Sequence, residues 1–173
     1  IRCMAREGFV EFTNYMLYNF SDNPKSLYHR MCVNMDLSKE LGVRVTGFPM
    51  RFVPMDSVNR NHVASRWHWR QLRGIQCILK ATRGLISPNP PFFARAFGEN
   101  FAEFLEILAM PDHYIMYREH YEAYEAKAYR RRYRRLAPTT RDELLHTLEE
   151  IHFMKTSDRL NFIAKLKVPF RWF

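Results

Sequence analysis

Five arginines fall within six positions, Arg130, Arg131, Arg132, Arg134 and Arg135, with Tyr129 and Tyr133 set among them. Guanidinium groups grip phosphates and tyrosine rings stack on bases, so on one helix this run has the composition of an RNA- or DNA-binding face. It also reads as a solvated helix whose arginines pair with Glu119, Glu122 and Glu125. The 7 histidines make no H-x-x-x-H pair and no facial triad, so local spacing supports no metal site, and each reads as a surface or hydrogen-bonded core residue. Cys3, Cys32 and Cys77 are odd in number and show no C-x-x-C. Neither a zinc knuckle nor a secreted disulfide framework follows, and Cys32 and Cys77 are expected to pack inside helices. Nucleophile elbow, P-loop and dinucleotide fingerprint are all missing from the sequence.

The elements that carry these residues divide the chain. Residues 9–20 are rich in aromatic and β-favouring side chains between turn signals and predict a buried strand. Ser21-Asp22-Asn23-Pro24 offers caps and a first-turn proline, and Leu27, Met31 and Met35 repeat at helical spacing until Gly42, which predicts a helix. A second strand begins at Val43, with Gly47 and Pro49 arguing that regular pairing ends midway. Strand, helix and strand at this spacing predict a parallel βαβ unit. From Ser65 onward the pattern is helical: Trp69 to Gly84, a turn around Phe101 to Leu108, one long helix from Pro111 toward Leu136, and two more begun by Thr140 and Ser157. The expectation is α/β followed by all-α.

The chain has 173 residues, 47% hydrophobic and 26% charged, which fits one domain with one sizeable core and excludes overall disorder. No apolar run approaches the length of a membrane span and no signal pattern opens the chain, so the expected location is cytoplasmic, away from membranes. A net charge of +9 makes an acidic partner electrostatically reasonable without naming it. Residues 1–8 read as the end of a helix closed by Gly8, and with no Met ahead of Ile1 they lead to the expectation of a fragment.

Thr13 to Arg30, T-N-Y-M-L-Y-N-F-S-D-N-P-K-S-L-Y-H-R, resembles the S-N-Y-x-L-Y-N-F-x-D-x-P-x-x-L-Y-x-R segment in the later part of a group of radical S-adenosylmethionine proteins. Gly47-Phe48-Pro49-Met50-Arg51-Phe52-Val53-Pro54 is similar to their S-F-P-M-K-Y-x-P. Trp69, Leu72 to Gly84, Phe92 to Gly98, Glu103-Phe104 and Met110-Pro111 to Arg118 follow in the same order. The resemblance implies part of an incomplete (β/α) barrel over residues 1–56 with a helical extension over 57–173. It also implies S-adenosylmethionine and a [4Fe–4S] cluster as cofactors. The C-x-x-x-C-x-x-C motif that holds such a cluster is not in this sequence. The expected partner is therefore a missing N-terminal half or a neighbouring chain, and the substrate is undetermined. Barrel sites lie at the C-terminal ends of strands, which makes Asn14, Tyr18, Asn19, Met50 and Arg51 the expected cofactor-binding residues. Arg51, where the family pattern has Lys, could fork a carboxylate. Their alternative roles are strand-edge hydrogen bonding, packing and a surface ion pair.

Overall fold

Asn23 and Gly42 bracket the first long helix as their chemistry requires. The Asn23 side chain accepts from the Ser26 N–H at 2.9 Å, Pro24 needs no donor at the first position, and Gly42 turns out at φ 64°. In the computed structural model, which describes residues 1–56 and 60–166, this helix joins two parallel strands. The order is α1 (Arg2–Arg6), β1 (Glu11–Tyr18), α2 (Pro24–Leu41) and β2 (Arg44–Arg51). Then come α3 (Trp69–Ala81), α4 (Pro90–Phe97), α5 (Phe101–Ala109), α6 (Asp112–Met116) and α7 (Arg118–Tyr121). The last described elements are α8 (Glu125–Arg135), α9 (Pro138–Phe153) and α10 (Thr156–Lys165).

The expected βαβ unit is present, with Glu11 opposite Arg44 and Tyr18 opposite Arg51. The expected partial (β/α) barrel is not. Among the described residues the sheet is an open pair of strands, and the rest is helical. Closing a barrel needs further strands at a common tilt and stagger. Here the outer edge of β2 is instead taken by an antiparallel bridge, Gly47 N–H to Ile86 O at 3.0 Å and Ile86 N–H to Gly47 O at 2.8 Å. Residues 57–59 and 167–173, which begin and end the expected extension, lie outside the described residues.

Pro49 does not end the pairing, and parity explains why. Arg44 donates to Val10 O and Phe52 to Tyr18 O, so even-numbered amides of β2 face β1. Val45 donates to Ser38 Oγ and Gly47 to Ile86, so odd-numbered ones face outward. Pro49 therefore sits where the ladder needs no donor. Gly47 sits in a crowded spot, since a Cβ there would lie 2.7 Å from Met16 Cε and 3.1 Å from Ile86 Cβ and would force both to shift.

The long helix expected after Pro111 is broken into α6, α7 and α8. Tyr117 (φ −113°, ψ 43°) and Tyr124 (φ −126°, ψ −75°) leave helical space at the two joints. The break lets Tyr114, Tyr121 and Tyr129 turn toward one another, with ring centroids 5.2–6.2 Å apart for Tyr114 against the other two. One apolar cluster joins both halves of the chain: Met16 and Tyr18 from β1, Leu27 and Met31 from α2, Leu72 and Ile75 from α3, Phe104 and Leu108 from α5, Tyr129 from α8 and Leu144 from α9. Cys77 is fully buried in this cluster and Cys32 partly so, as packing residues.

Candidate functional site

The C-terminal ends of β1 and β2 bring together Tyr18, Asn19 and Arg51, while Asn14 lies mid-strand opposite Gly47, and Asn14, Tyr18 and Asn19 are turned to structural work. Asn14 donates to Asn34 Oδ1 at 2.8 Å, and Asn34 in turn reaches Met16 Sδ at 3.7 Å. Tyr18 is buried beside Trp67, with ring centroids 5.8 Å apart, and burial pushes its hydroxyl up to about 12. Asn19 is fully buried at φ 66°, a left-handed conformation that asparagine tolerates better than most residues. Its Nδ2 donates to Phe52 O and His62 O, both at 3.0 Å, and its Oδ1 accepts from Ala64 N–H at 2.9 Å. The side chain thus sews the loop after β2 onto the end of β1.

Arg51 is different. One Nη2 donates to His62 O at 2.8 Å, while its buried Nε has no partner among the described residues. Burial lowers the guanidinium's pKa, although the neighbouring Tyr18 opposes this. A carboxylate reaching the strand end would supply the missing acceptor. Below it the strand end is tied down by Asp22, which pairs with Arg30 and accepts from Trp67 Nε1 at 3.2 Å. Arg30 also donates to Leu17 O at 2.7 Å.

Met50 lies on the opposite face of the sheet. There Tyr15, Leu17, Phe48 and Met50 are 67%, 45%, 36% and 46% exposed, although all four are large and apolar. The Tyr15 and Phe48 rings meet across the strands at 5.4 Å, and Phe20 and Phe52 continue the patch at 4.7 Å. Period-two alternation places this face away from α2, and no described element covers it.

The arginine run occupies α8 with Tyr129 and Tyr133 buried beneath it. Arg130 and Arg134 are bound not to the glutamates near them in sequence but to α5. Arg130 meets Glu103 at 2.7 Å and Glu106 at 3.0 Å, and Arg134 meets Glu106 at 2.6 Å. Hydrogen bonding and these guanidiniums hold the Glu103 carboxyl below its ordinary range. Arg131 and Arg135 remain exposed, and Arg132 is exposed with a contact of its own. Two pairs invisible to sequence reading, Arg70 and Arg73 on α3 with Asp112 of α6 at 2.8 Å each, do the same clamping elsewhere.

The residues present do not fit an iron–sulfur cluster. Cys3, Cys32 and Cys77 lie on three different helices, and burial raises the Cys32 and Cys77 thiols, which opposes the thiolate that a cluster needs. S-adenosylmethionine fits in one respect only, through the orphaned donor of Arg51. No protein-family model, curated protein or solved structure matches the chain.

Proposed function

We infer that this chain is the C-terminal portion of a radical S-adenosylmethionine enzyme, which contributes cofactor- or substrate-side structure to a cluster-bearing portion supplied by other residues. The observation that carries this reading is the bare face of the sheet. Four large apolar side chains stand exposed side by side at the very strands that hold the family-like segments, where a monomeric surface would ordinarily be polar. Parallel sheets are normally covered on both faces. The unshared edge of β1 offers backbone pairing to the portion that covers that face. Arg51 is the one expected cofactor residue with a spare donor, and its role here is to orient a carboxylate at the strand end.

Translating the genomic frame upstream of Ile1, together with any chain that copurifies, tests the proposal. A C-x-x-x-C-x-x-C segment is expected in one of them, and its anaerobically reconstituted complex with residues 1–173 should form 5′-deoxyadenosine under reduction while residues 1–173 alone do not. No such segment in either, or a product yield indifferent to residues 1–173, overturns it. The nucleic-acid reading is served less well, because Arg130 and Arg134 are spent on Glu103 and Glu106.

A further inference from the structure

Two imidazoles and two carboxylates meet where the start of α3 touches α9. His68 immediately precedes α3. Asp142, His146 and Glu149 stand at i, i+4 and i+7 on α9, which puts them on one side of that helix. One ligand atom each from His68, His146 and Glu149 lies within 4.8 Å of the other two. Asp142 joins them: its Oδ1 is 3.0 Å from His68 Nε2 and its Oδ2 3.7 Å from His146 Nε2. The imidazole rings meet edge to face at 4.7 Å.

We propose that His68, His146 and Glu149, supported by Asp142, bind a zinc-class divalent cation that fastens α9 to the start of α3. Zinc takes nitrogen and carboxylate oxygen at about 2.0–2.2 Å in a tetrahedral shell, which sets neighbouring ligand atoms about 3–3.5 Å apart. The three ligand atoms, within 4.8 Å of one another, would have to close on the ion to reach that spacing. The donor set favours zinc over magnesium or calcium, which prefer all-oxygen shells. Charge points the same way. Among the described residues the ion pairs of Asp142 are to histidines, and Glu149 accepts from the Trp69 N–H at 3.4 Å. Two carboxylates beside two imidazoles form a donor set whose negative charge a dication would offset. The plain alternative is that the carboxylates serve only the α3 N-terminus and a histidine ion pair.

Chelator-treated protein carrying Cys3→Ser, which removes the exposed thiol as a competing ligand, decides between them. Titration with zinc should give one bound equivalent and a raised unfolding temperature that EDTA reverses, and cobalt should give the visible absorption of a tetrahedral site. His146, 62% exposed, can be changed with little risk to folding. His146→Ala should weaken binding by more than about 100-fold, and Asp142→Asn, as the supporting change, by about 10–100-fold, both with unaltered circular dichroism. A stoichiometric site untouched by His146→Ala, or no site at all, overturns the proposal.

Discussion

Asn19 looked like a ligand and is a tether. A buried amide at φ 66° with three backbone partners has both N–H donors spent and no exposed surface to offer a cofactor. Asn19→Ala should destabilise the protein by about 1–3 kcal/mol for each buried partner left unsatisfied, read from the urea unfolding midpoint, and Asn19→Gly should recover only the backbone part. Arg51→Ala should change stability less, and in the proposed cluster-bearing complex should weaken cofactor binding by about 1.5–3 kcal/mol, the range of a charge-assisted bond. Tyr18 gives a pH signature. Its hydroxyl ionises near 10 when unfolded and at about 12 when folded, so its stabilising effect is complete below pH 10 and is lost as pH rises from 10 through 12. Tyr18→Phe should flatten that alkaline fall in unfolding temperature, leaving the share of Tyr28, Tyr129 and Tyr133, which burial shifts in the same direction. The barrel strand-end reading that singled out these residues did not foresee the inward turn of Tyr18 and Asn19, because which side a strand-end side chain takes depends on the loop it meets, nor that Asn14 sits mid-strand opposite Gly47.

At the scale of elements, α3 and α5 cross so closely that a Cβ on Gly74 would lie 2.6 Å from Leu108 O and 2.8 Å from Leu108 Cα. Backbone cannot swing aside as a side chain can. Gly74→Ala should therefore cost about 1–3 kcal/mol through forced separation of the helices, against the stabilisation that alanine gives an open helix position, and calorimetry measures the sign directly. The clamp between α8 and α5 makes a second test: Glu106→Gln weakens the acceptor of both Arg130 and Arg134 and should lower stability by about 1.5–3 kcal/mol. Helix α2 was legible to within a residue because a capping asparagine, a first-turn proline and a left-handed glycine mark its ends. The breaks at Tyr117 and Tyr124 were not, since neither position carries glycine or proline and the cause is packing among distant tyrosines. Helix α4 starts at Pro90 and Pro91, whose missing amides a first turn does not need, with Asn89 capping it through Phe92 N–H at 3.0 Å.

Among the described residues the helices and the inner face of the sheet share one core, while the other sheet face is left bare. The cluster of His68, Asp142, His146 and Glu149 was unreadable in advance for a related reason: its members come from two distant helices and meet only when both pack. The bridge at Ile86 has a last consequence, for the direction in which the sheet can grow. With β2 capped on its outer side, recruitment of another strand is one-sided, at β1. Register and parity leave the Thr13, Tyr15 and Leu17 amides of β1 pointing to that open margin, whereas the Gly47 amide is occupied. In deuterated solvent those three should exchange well ahead of Gly47, and any strand added at that margin should slow all three at once.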